Sequence, residues 1–75
     1  MKIEYDPRAD ALYIYLKEDA EVAETHDLKP GIMVDYDREG NLVGIEILDV
    51  KKRFSKKDLA QVNLINLSLL YEEAA

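Results

Sequence analysis

Asp35, Asp37, Glu39, Gly40 and Glu46 occupy positions 1, 3, 5, 6 and 12 of an EF-hand-type pattern within "VDYDREGNLVGIEIL", residues 34–48. Acids at that spacing, with glycine sixth, can wrap oxygen ligands around a calcium ion. An EF-hand loop, however, is gripped at both ends by helices. Here the flanks are "IMV" and "GIEIL", rich in β-branched residues that suit strands. A type I turn from Asp37 through Arg38 and Glu39, completed by Gly40 in the left-handed region, explains the same residues as a G1-bulge hairpin. The hairpin is the expected structure, and no metal or cofactor is assigned.

Other chemistry finds little to work with. There is no cysteine, so disulfides, thiolate metal sites and cysteine nucleophiles are excluded. His26, the only histidine, sits between Thr25 and Asp27 in a strand-like stretch. Neighbours along a strand face opposite sides, so Asp27 cannot orient its ring and an exposed structural role is expected. Ser55 is better used as a helix cap. Carboxylates gather around two turns, Asp6 with Asp10, and Asp35 with Asp37 and Glu46. Acid–base work by such groups needs a cleft that desolvates one of them. A 75-residue sheet has little room for a cleft. Solvation and turn capping account for the acids, so no catalytic residue is assigned and a non-enzymatic protein is expected.

The elements that carry these residues are mostly strands. "KIEYD" alternates, with Ile3 and Tyr5 on one face, and "DPRAD" supplies a proline turn. "ALYIYL" sets Leu12, Ile14 and Leu16 against Ala11, Tyr13 and Tyr15. "VAETHDL" (22–28) is a weak, polar edge strand, and "KPGI" matches a type II turn. Ile32, Val34 and Tyr36 then share one side, followed by Val43, Ile45 and Ile47 facing inward. Ser55 and Asp58 have capping-box spacing, which predicts a short helix near residues 56–61. In the tail, 62–71, Ile65, Leu67, Leu69 and Tyr71 alternate with Asn66, Ser68 and Leu70, which favours a strand, with a helix as the alternative. The fold class is therefore β-rich α+β, a four- to five-stranded mostly antiparallel meander with one short helix and a C-terminal strand or helix. Residues 1–75 form one domain, with hairpins over 1–50 and a basic linker, helix and tail over 51–75.

Charge is unevenly spread. Residues 1–50 hold thirteen acids and five bases, 51–57 hold five bases and no acid, and the whole chain has net charge −6. A negative field repels nucleic acid and anionic membranes and favours a basic partner. The basic stretch Lys51, Lys52, Arg53, Lys56 and Lys57 supports the alternative function, nucleic-acid or anion binding. No apolar run approaches the roughly 20 residues of a membrane span, and "MKIEYDPRAD" has no signal-peptide core. A soluble cytoplasmic protein without membrane association is expected.

One apolar face cannot hold a chain this short, so the second face, with Tyr13, Tyr15, Met33, Leu42 and Leu48, must be partly covered by the tail or by another subunit. That face, with Ile65, Leu67, Leu69 and Tyr71 of the tail, is the expected interaction surface, and a homodimer is the expected assembly.

"YDPRADALYIYL" and "GIMVDYDREGNLVGIEILDVKKR" together resemble a family of short prokaryotic proteins classed as a domain of unknown function, with a pattern like YDxxADALYI…VDYDxxGxxVGIEILDA. Tyr5, Asp6, Ala9, Asp10, Ala11, Leu12, Tyr13 and Ile14 match its first block. Gly31, Val34–Asp37, Gly40 and Gly44–Asp49 match its second. Val50 stands where the pattern has alanine, and the tail from Phe54 is not covered. The resemblance implies a fold more than an activity, and it brings no catalytic residues. Some members look like partners of RelE-like ribonuclease toxins, which implies an antitoxin-like role beside a small basic enzyme, although no helix-turn-helix is visible here. The reading is a protein–protein interaction module, homo-oligomeric, with a basic protein as a further partner.

Overall fold

The computed structural model describes residues 1–68 and Leu70. Strands form where alternation and turn chemistry agree. β1 (Lys2–Asp6) and β2 (Ala11–Tyr15) are joined by the proline turn, in which Asp6 Oδ1 accepts from the Arg8 amide at 2.9 Å. β3 (Glu24–Lys29) and β4 (Ile32–Tyr36) meet at Pro30-Gly31, where Gly31 takes φ +82° as a type II turn requires. β4 and β5 (Leu42–Ile47) form the expected bulged hairpin. Gly40 has φ +86°, and Asp37 Oδ1 accepts from the amides of Glu39 and Asn41 at 3.0 and 2.8 Å. Those bonds, chiefly the Asn41 amide, hold the Asp37 carboxyl below its ordinary range. The EF-hand spacing is a by-product of hairpin geometry.

All five strands form one antiparallel sheet in the order β1-β2-β5-β4-β3. The β-rich α+β architecture is the one the sequence predicts. The chain does not run as one continuous meander: β3, β4 and β5 follow one another, and the β1–β2 hairpin joins them by pairing β2 with β5. That register aligns two apolar rows across four strands each. One is Ile3, Ile14, Ile45 and Val34, and the other is Tyr5, Leu12, Ile47 and Ile32. Side chains directly opposite each other share a face, so both rows lie on the same side of the sheet.

Two short helices follow. Val50–Arg53, expected within a basic linker, instead form α1. Asp49 precedes it in the left-handed region at φ 55° and makes no side-chain cap. The cap comes from the first hairpin turn: both carboxylate oxygens of Asp10 accept from the Lys51 amide at 3.3 Å, and the Asp10 carbonyl accepts from Val50 at 3.1 Å. Tyr5 Oη donates to Asp10 Oδ1 at 2.8 Å, completing the knot, and Val50 beneath it is fully buried. A cap supplied from 41 residues away leaves no local signal, which is why α1 goes unpredicted. α2 (Lys56–Ala60) is the predicted helix, with both arms of the Ser55–Asp58 capping box made.

The tail departs from the first expectation. Residues 61–65 have no regular structure, Asn66 adopts φ +63°, and Ser68 and Leu70 are helical, so no strand forms in the described part. A left-handed residue in the middle of the run breaks the pleat that alternation would need. Leu69 and Tyr71 lie outside the described residues.

A core enclosed by a second layer is nearly lacking. Among the described residues only Ala11, Val43 and Val50 are buried apolar side chains. The Cα radius of gyration is 14.5 Å, against roughly 11 Å for a compact domain of this length. Replacing Asp10 by alanine removes the cap of α1 and the acceptor of Tyr5, and is expected to lower stability by about 1–2 kcal/mol in urea unfolding. Asp10 stands at φ 50°, and Asp10→Asn, which tolerates that left-handed backbone and keeps an acceptor, should recover part of the loss; equal damage from both would disprove the capping role.

Candidate interaction site

The two faces of the sheet are opposite in character. On one, β2, β5, β4 and β3 are tied together by a polar clamp around Asp35, which is only 6% exposed. Tyr13 Oη donates to Asp35 Oδ2 in a short hydrogen bond, and Thr25 Oγ1 donates to Oδ1 at 2.5 Å. Tyr13 belongs to β2 and Asp35 to β4, so the phenol must cross β5. It does so at Gly44, the direct partner of Asp35, where a Cβ would collide with the phenol oxygen. Gly44 is therefore a clearance, not a turn residue. Burial and the hydrogen bond to Asp35 push the Tyr13 phenol up to about 12.

The rest of that face is also engaged within the sheet. Tyr13 and Tyr15 pack at 4.4 Å between ring centroids, Lys2 Nζ lies 4.4 Å from the Tyr15 ring centre, and Tyr15 Oη donates to Glu4 at 3.2 Å. Register places Glu4, Asp6, Asp27, Asp35 and Glu46 on this side. Of the strand acids, only Glu24 shares the other face, opposite Tyr36 and within 3.0 Å of His26 Nε2.

The opposite face carries the two apolar rows, and none of their eight residues is buried. Ile3 and Tyr5, at the β1 edge, are 44% and 39% exposed. Leu59 of α2 and Val62 reach only the β1–β2 end, where they line a groove with Ile3, Tyr5 and Leu12. Alternation had marked these rows as inward-facing. They do share a face, but among the described residues no second layer lies on it beyond that end.

The residues singled out in the sequence are scattered accordingly. Tyr13, Tyr15 and Met33 are half-buried on the clamp face. Leu42 is exposed beside the hairpin, and the amide of half-buried Leu48 donates to Gly31 O at 2.8 Å. Ile65 and Leu67 are exposed in the tail. Within the basic stretch, Arg53 donates to Leu48 O at 2.7 Å and Pro30 O at 2.9 Å, and Lys51, Lys52, Lys56 and Lys57 are exposed around α1 and α2. Among the described residues no three His, Asp or Glu side chains are arranged to hold a metal ion, and no helix is long and apolar enough to cross a membrane.

Sequence reasoning missed the Asp35 clamp and the openness of the apolar face. A mid-strand glycine opposite an aspartate, with no turn to explain it, is the one signal that pointed to the first.

The profile of a family described as "protein of unknown function (DUF2283)" matches residues 2–51. An uncharacterized protein of Methanocaldococcus jannaschii is 46% identical over 67 residues, covering 87% of this chain. The chain spans 55% of that relative's length. No solved structure matches at a significant level.

Two outcomes follow from the clamp. Gly44→Ala should drive the phenol off Asp35, and Tyr13→Phe should strip one acceptor of its donor; each is expected to cost about 1–3 kcal/mol. A double variant costing no more than either single one would show that both act on the same bond. Because the folded phenol titrates near 12 and the unfolded one near 10, the folded state holds the extra proton between those values. The clamp's contribution is therefore complete below pH 10 and is lost as pH rises through about 12. Ultraviolet titration should show a last phenolate step near pH 12 that Tyr13→Phe removes; its persistence in that variant would refute the assignment.

Proposed function

The chain belongs to the DUF2283 family of unknown function, and from that premise we propose that it is a non-enzymatic protein-binding module acting through the apolar face of its sheet. One observation carries the reading. Ile3, Ile14, Ile45, Val34, Tyr5, Leu12, Ile47 and Ile32 form a continuous apolar surface, and no residue in it is buried. Ile3 and Tyr5 are exposed and the other six are half-buried, and contiguous apolar area left partly in water marks a contact surface, because it forfeits about 25 cal/mol for every Å² that could be covered. The nearest approach to catalytic machinery, Tyr13 with Asp35, supports a structural use instead. Both carboxylate oxygens are spent on hydroxyl donors within the sheet.

A basic protein partner, the kind that an antitoxin-like role would require, is favoured by a separate observation. Five of the six strand acids stand on the clamp face, so the module presents an acidic side and an apolar side back to back. A small ribonuclease-type toxin would meet Glu4, Asp27 and Glu46 there, and would leave the apolar side for another contact.

The test is the mass of the protein in its native extract. The wild-type chain is expected to elute well above its own 8.6 kDa. Ile45→Glu, at the centre of the apolar face, should return it to that mass with an unchanged strand signal in circular dichroism. A wild-type chain that elutes alone at 8.6 kDa would overturn the reading.

A further inference from the structure

We propose that the occupant of the apolar face is the same face of a second copy of this chain, two sheets packing face to face with the apolar segment from Leu59 to Leu70 closing the margin. The inference rests on the protein-binding reading above and names its partner. Three observations carry it: charge, area and the tail.

Charge selects the kind of partner. The two apolar rows contain no ionisable side chain except the Tyr5 phenol, whose pKa is raised by its bond to Asp10. A basic or an acidic protein gains nothing against such a surface. A second copy offers a face equally neutral, equally wide and of matching row spacing, the condition for a two-fold contact. Apposing the apolar sides also turns the acidic clamp faces of both copies outward. Glu4, Asp6, Asp27, Asp35 and Glu46 of each copy then sit on the far sides of the pair instead of across the seam. The ionisable groups on the contact side, Glu24, His26 and Lys29, all belong to the edge strand β3 and stand at its rim.

Area says how much more is needed. Strands about 4.8 Å apart, rising about 3.3 Å per residue, give a five-stranded face of roughly 20 by 18 Å, near 400 Å² in projection. A stable interface takes about 800 Å² from each partner, so the rows alone are too small. The chain carries the remainder in the segment that follows α2. Val62, Leu64, Ile65 and Leu70 are 68%, 72%, 78% and 62% exposed, with no partner surface among the described residues. This segment starts at the groove that Leu59 and Val62 form with Ile3, Tyr5 and Leu12, so it is continuous with the apolar face. Two surfaces that each need cover, joined at one end, complete an interface of standard size when duplicated by a two-fold axis. Aligned sheets pack about 10 Å apart, which is the thickness that rows of isoleucine, leucine and valine fill.

The decisive experiment uses the purified full-length chain alone, in sedimentation over a wide concentration range. The expected result is twice 8.6 kDa, dissociating on dilution. Ile45→Glu should sediment at the single-chain mass, whereas Glu46→Lys, one residue away on the clamp face, should remain paired. Should Ile45→Glu fail to fold, Ile45→Thr keeps the β-branched shape and should raise the dissociation constant about tenfold or more. A mixed sample of isotope-labelled and unlabelled chains should show contacts between the Ile14 and Ile45 methyl groups of one copy and the apolar rows of the other. A dimer without those contacts, or one broken by Glu46→Lys and not by Ile45→Glu, overturns the proposal. A purified chain that stays at 8.6 kDa also overturns it. In that case, a heavier wild-type species in native extract, lost in Ile45→Glu, would leave the broader reading standing with a foreign partner, and a single-chain mass in both settings would remove both.

Discussion

Asp35 is a carboxylate placed in the middle strand region of a thin sheet, and its accommodation conditions everything around it. A buried carboxylate is costly unless its oxygens are satisfied. Here the donors come from β2 and β3, on either side, and the route from β2 runs over a glycine. The arrangement exists in only one register. A slip of one residue between any of β2, β5, β4 and β3 would turn Tyr13, Gly44, Asp35 or Thr25 to the opposite face. The clamp therefore does for alignment what a packed core usually does, and it does so without a second layer.

That division explains how so small a chain can leave one apolar face of its sheet only partly covered. The strand pairing, the hairpin turns and the clamp define the sheet from its polar side. The knot at Asp10, Tyr5 and Lys51 fastens the end of β5 and α1 back to the first turn. In these side-chain contacts only Tyr5, through its hydroxyl, takes part from the apolar rows. Their contribution to stability waits for whatever lies on them, so folding of the sheet and occupation of its face are coupled through burial alone.

Much of this was legible in the sequence because the governing interactions are local. Alternation assigned Leu12 and Ile14, Ile32 and Val34, Ile45 and Ile47 to common faces, and Asp37 with Gly40 announced the bulged hairpin. Ser55 with Asp58 announced α2. What was not legible is carried by partners distant in sequence: Asp10 capping a helix 41 residues away, Tyr13 reaching an aspartate 22 residues away, and β2 pairing with β5. Arg53, read as one of five available bases, is held by two carbonyls that no spacing rule connects to it. Alternation also says which side chains share a face and is silent on what covers them, so the rows expected to point inward are only partly covered.

The extent of the family match fits this separation of tasks. It ends at residue 51, and Lys51 is the residue whose amide Asp10 holds. The matched stretch is thus the self-fastened sheet: clamp, hairpins and knot, closed at the point where the main chain returns to the first turn. The exposed apolar segment beyond α2 falls outside it. Because register is set from the polar face, that segment can change in length or sequence without disturbing the strands, and only the way the apolar face is covered would alter. A sheet built in this manner keeps its architecture whatever covers its apolar face.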